Sequence, residues 1–70
     1  MMPLTMANAG EENIIKKVGG KEDTCRFLEN LGFVVGAAVT VISQVEGNII
    51  VNIKDSRVAI GKDMANKIMV

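Results

Sequence analysis

Only one stretch of this chain places its apolar residues at the spacing of a long helix. In KEDTCRFLENLG, Lys21 to Gly32, residues Thr24, Phe27, Leu28 and Leu31 fall at i, i+3, i+4 and i+7, the stripe of an amphipathic helix. Glu22 and Arg26 sit four apart on the outer side, a pairing worth roughly 0.2–0.5 kcal/mol. Gly32 follows the last apolar residue, where a left-handed residue ends many helices. The pattern predicts a three-turn helix over residues 21–31.

The remainder reads as β-structure. ENIIKKV (Glu12 to Val18) is short and β-branched, a strand stopped by Gly19-Gly20. AAVTVISQV and NIIVNIKD are two further strands. Two turns compete between them. A two-residue Gly47-Asn48 turn pairs Gln44 with Val51 and splits the apolar set. A three-residue loop, Glu46-Gly47-Asn48, pairs Val45 with Ile49 and puts Val39, Val41, Val45, Ile49, Val51 and Ile53 on one face. A one-residue slip would turn that face outward, so the three-residue loop is preferred, with Asn48 at positive φ. Asp55-Ser56 is the next turn. RVAI then forms a short strand with Val58 and Ile60 inward, and Gly61 to Asn66 a turn or single helical turn. KIMV closes the chain with Ile68 and Val70 inward. Met1 to Gly10 reads as an extended arm or first edge element.

The expected architecture is therefore mainly β: a strand, one short helix, then four strands. About five strands in one 70-residue domain (residues 1–70) suggest a strongly bent sheet closing into a small barrel, the helix plugging or flanking one opening. Such a domain buries only about 60% of the surface its unfolded chain exposes. Nothing in the sequence staples it: Cys25 is the lone cysteine, and histidine is absent. Val, Ile, Leu and Met must fill the core, because the only aromatic residues are Phe27 and Phe33.

The same inventory excludes several functions. Eight basic residues cancel eight acidic ones, which speaks against nucleic-acid binding. The mainly apolar run Phe33 to Ile42 is about ten residues, half of the roughly 20 that a spanning helix needs. With one free thiol and no signal peptide, the expectation is a soluble cytosolic protein without membrane insertion. No acid–base or nucleophile arrangement is present: Ser43 and Ser56 have no obvious base, and Gly19-Gly20-Lys21 lacks the spacing of a phosphate loop. No catalytic residue and no cofactor site is assigned. The carboxylates Glu11, Glu12, Glu22, Asp23, Asp55 and Asp63 read as solvated surface, and ferrous sites generally want histidine, so no metal ligands are assigned. Cys25 reads as a half-buried small hydrophobe, and Met1, Met2, Met6, Met64 and Met69 as adaptable packing and contact residues.

The stretch between helix and second strand is the most informative. Gly32 and Gly36 match G-x-x-x-G, but that packing motif needs one continuous apolar helix, and here the first glycine ends the helix. Phe33, Val34 and Val35 must then fit one short turn. Phe33 suits a plug at the barrel end. Val34 and Val35 cannot both point inward as easily, and an exposed remainder would be an apolar patch for a partner or a second copy of the chain.

At this joint the sequence resembles the FeoA family, small cytosolic accessory proteins of bacterial ferrous iron transport. The resemblance rests on Arg26, Leu28, Leu31-Gly32, Gly36, Val39 and Val41, Val58-Ala59-Ile60, Ala65 and Ile68-Met69-Val70, with PLTMANAGEENIIKKVGG as the family's opening. The family often has proline before the second glycine, where this chain has Val35. Cys25 and Phe27 stand where another basic or apolar residue is common. The resemblance implies an SH3-like small barrel and a FeoB-type membrane transporter with a cytosolic GTPase domain as partner. It implies no enzymatic activity. The implied roles are binding the transporter, modulating its GTPase or aiding its assembly. Arg26, Phe33, Val34 and Val35 are the candidate partner contacts, with the Met-rich arm as a secondary site. A related domain occurs at the C-terminus of iron- and manganese-dependent repressors, so a stand-alone regulatory domain is the alternative, although 70 residues leave no room for a helix-turn-helix. Binding of proline-rich peptides is disfavoured by the lack of Trp and Tyr.

Overall fold

The computed structural model describes residues 1–70, and its architecture turns on the segment Glu12 to Val18. The single strand expected there is divided. β1 (Glu12–Ile14) pairs antiparallel with β3 (Ala38–Val45), whereas β2 (Lys17–Val18) pairs antiparallel with β6 (Ile68–Met69). The break falls at Ile15, which is only 1% exposed. Its N–H donates to the Ala37 carbonyl at 2.9 Å, and its carbonyl accepts from the Gly36 N–H at 2.8 Å. The Lys16 N–H donates to the Met69 carbonyl at 2.8 Å. The chain thus changes sheet without leaving backbone groups unpaired at its buried corner.

β4 (Asn48–Ile53) and β5 (Ser56–Gly61) complete a four-stranded antiparallel sheet in the order β1-β3-β4-β5. There are six strands rather than about five, and the barrel is built from two sheets rather than one closed ladder. Both sheets and the helix α1 (Glu22–Leu31) contribute to one core. The helix begins just after Lys21 and ends at Gly32, which has φ 109°. Leu28 is fully buried. Phe27, expected on the inward stripe, is 49% exposed, because the buried face centres on Leu28 and leaves Phe27 at its margin.

The β3–β4 turn differs from the expected three-residue loop. It is the two-residue turn Glu46-Gly47, with φ of 22° and 76°, and Val45 pairs with Asn48. This is neither of the two turns weighed from sequence, Asn48 does not take a positive φ, and the register shifts between Val41 and Ser43. The extra residue, Ile42, forms a bulge that returns Val39, Val41, Ile49, Val51 and Ile53 to one buried face. Val45 is left out of that set and is 52% exposed. The β4–β5 turn lies at Lys54-Asp55, one residue earlier than expected, with φ of 48° and 64°.

The N-terminal segment is no loose arm. Met2 and Val70 exchange backbone hydrogen bonds of 2.9 and 2.8 Å, and Leu4, in a 3₁₀ turn (Leu4–Met6), is fully buried. The expected helical turn is α2 (Lys62–Ala65), which buries Ala65. Ile60, Ile68 and Val70 point inward as expected, while Val58 is only partly buried.

Asp55 occupies the second left-handed position of a turn that favours glycine there. Asp55→Gly is expected to raise stability by roughly 0.5 kcal/mol, a melting-temperature gain of about 2–4 °C by calorimetry.

Candidate functional site

The joint between α1 and β3 is a run of local hydrogen bonds. The N–H of Gly32 donates to the Glu29 carbonyl, and that of Phe33 to the Leu28 carbonyl, both at 2.9 Å. These bonds close the helix through a left-handed glycine. A Cβ on Gly32 would make only ordinary contact, 3.4 Å from Lys54 Cδ, so the φ of 109° is what favours glycine there. The Ala37 N–H then donates to the Val34 carbonyl at 3.0 Å across Val35 and Gly36. With φ of 93° at Gly36, this is the pattern of a type II turn. A Cβ on Gly36 would meet nothing within 4 Å, so glycine is required there for its backbone angle alone. Val35 holds the position where such turns favour proline.

This geometry separates the four candidate contact residues. Phe33 has no exposed surface and belongs to the core, so it is removed from the contact surface and acts only as a support beneath it. Val34 is half-buried, and Val35 is 67% exposed. Arg26 projects from the outer side of α1 and forms the expected pair with Glu22, 2.8 Å from its Oε1. Both side chains are well exposed, so the pair adds little stability. Phe27 is an exposed aromatic that sequence reasoning assigned to the core. Its offset from Leu28 on the helix was the available signal.

Of the methionines proposed as a secondary contact, Met1 and Met6 are exposed, while Met2 packs against the core. The Cys25 thiol is partly buried and donates to the Gly19 carbonyl at 3.3 Å. No three His, Cys, Asp or Glu side chains gather as a metal-holding group. No helix is long and apolar enough to cross a membrane.

Phe33→Ala would remove the largest fully buried side chain. It is expected to cost about 3–5 kcal/mol, read as a lower urea midpoint, a large share of the stability of a domain this size.

The FeoA domain model matches residues 2–70. A protein of Methanocaldococcus jannaschii described as "Putative Fe(2+) transport protein A" is 39% identical over 70 residues, covering 100% of this chain and 85% of that protein. A crystal structure of an iron uptake regulatory protein (FeoA) superposes with a TM-score of 0.90 at 30% identity, covering 99% of this chain and 92% of the other. The FeoA of Stenotrophomonas maltophilia, crystallised with zinc and described as an SH3 domain protein, shares the fold at a TM-score of 0.85 and 24% identity, covering 100% of this chain and 89% of that one. A manganese-dependent transcriptional repressor also shares the fold, at a TM-score of 0.85 and 20% identity, over 94% of this chain and 38% of its own. The fold is thus SH3-like, and the chain belongs to the FeoA domain family, whose named relatives serve ferrous iron transport.

Proposed function

We propose that this chain is a non-enzymatic accessory protein of ferrous iron uptake. It docks on the cytosolic side of a FeoB-type GTP-dependent transporter and modulates that partner's GTPase cycle. The observation that carries this reading is the exposed apolar surface at a well-bonded joint. Val35 is 67% exposed on a turn held by the Gly36–Ile15 and Ala37–Val34 hydrogen bonds, and Phe27 is 49% exposed on the helix before it. Apolar side chains on a preorganised backbone lose little freedom on association, which favours contact at such a place. Arg26 adds a charged group on the same helix. Ferrous ion is the transporter's cargo in this reading, and no metal ligands are assigned to this chain, which has no histidine.

The fold shared with the manganese-dependent repressor motivates a second reading, a stand-alone regulatory domain. It predicts no affinity for a transporter, so one experiment separates the two. The purified chain is titrated into the intact transporter from the same cell by calorimetry, with GTP and GDP analogues in turn. Saturable, nucleotide-sensitive binding is expected. Val35→Asp should weaken it by about tenfold or more, the loss of one apolar contact and burial of one charge, with circular dichroism unchanged; Val34→Asp should weaken it less. Absence of binding by the folded chain would overturn the docking mechanism. Unfolding of both variants would assign Val34 and Val35 to the core.

A further inference from the structure

The β2–β6 ribbon carries a cleft of about 380 Å³ whose lining includes Met1 of the secondary contact arm but none of Arg26, Phe27, Val34 and Val35. Its shape follows from the register. Lys17 pairs with Met69 and Val18 with Ile68, and the Gly19 N–H continues the ladder by donating to the Lys67 carbonyl at 2.7 Å. Cross-strand partners project to the same side, so Lys17, Met69, Gly19 and Lys67 share the face opposite Val18 and Ile68. Gly19 has no side chain to set beside Lys67, and a depression opens there. Gly20 forms part of the wall. Its φ is 100°, and a Cβ on it would come within 2.8 Å of Lys67 Cδ, so the lysine stem lies directly over this glycine.

The lining is chemically one-sided. It includes two ammonium groups, Lys17 and Lys67, and no carboxylate. Neither lysine is ion-paired, since the molecule's salt bridge joins Arg26 to Glu22. Asn66 also lines the cleft. Its Oδ1 accepts from the Thr5 hydroxyl at 2.6 Å, which leaves Nδ2 as a donor without a protein acceptor. The Gly20 N–H likewise donates to no protein group. Donors thus gather here without side-chain acceptors to satisfy them. Lysine serves phosphate as a point charge and needs no bidentate geometry to do so.

We propose that this cleft binds a phosphate group, held by Lys17 and Lys67 and hydrogen-bonded by the Asn66 amide and the Gly20 N–H. Free phosphate and a phosphate ester share that chemistry. Met69, on the cleft wall, would contact the organic part of an ester.

The test is an amide NMR titration of the full chain with sodium phosphate and, separately, with phenyl phosphate, both against sodium chloride at matched ionic strength. Saturating shifts at Gly19, Gly20 and Asn66 that chloride does not produce are expected. Lys17→Gln with Lys67→Gln should weaken binding by about tenfold or more through the loss of charge-assisted bonds. Both changes lie on the outer face, and an unchanged amide spectrum elsewhere would verify the fold. Lys54→Gln, in the β4–β5 turn and outside the cleft lining, should have no effect. Tighter binding of phenyl phosphate supports the site with an ester as ligand, and equal affinity supports it with the free anion. Non-saturating shifts that chloride reproduces, or undiminished affinity in the double variant, would overturn the proposal.

Discussion

The buried corner at Ile15 is the constraint on which the structure depends. One residue fastens three parts of the molecule. Its side chain enters the core, its backbone holds the joint at Gly36 and Ala37, and its chain neighbours pair with different sheets. A straight strand from Glu12 to Val18 would serve one sheet only. The bend lets a short segment contribute edges to two, and this is how so few residues wrap a core of 14 buried apolar side chains. The same bonds hold the turn that presents Val35, so fold and candidate surface share one origin.

Much of this was legible in the residues, for identifiable reasons. The helix was visible because Leu28 and Leu31 recur at its period and Gly32 ends it. The inward set of β3 and β4 was visible because alternation leaves only one face for Val39, Val41, Ile49, Val51 and Ile53. What escaped was anything requiring two rules to be weighed together. Facing favoured the loop Glu46-Gly47-Asn48 over a Gly47-Asn48 turn; the turn that forms, Glu46-Gly47, keeps all of that face except Val45 through a bulge at Ile42, and no local pattern announces a bulge. The break at Ile15 escaped because ENIIKKV is uniformly strand-like, and its division is decided by partners distant in sequence.

The candidate surface was legible to a similar depth. The crowding of Phe33, Val34 and Val35 into one turn indicated that some apolar side chain must face water, and burial distributes them as Phe33 in, Val34 between and Val35 out. Phe27 was misassigned because a stripe drawn on a helical wheel has soft margins, and residues there go wherever tertiary packing ends. The cleft of the β2–β6 ribbon had no sequence signature at all. It exists because Gly19 stands beside Lys67, a pairing that only the fold creates.

The hydrogen bonds between Met2 and Val70 bear on how the protein is made. They join opposite ends of the chain, and Ile68 and Val70 are themselves core residues. During synthesis the helix and the β3–β4–β5 meander can form from neighbouring residues. The last wall of the core stays missing until those residues have left the ribosomal tunnel. Apolar surface of the earlier elements therefore stays uncovered until Ile68 and Val70 pack against it.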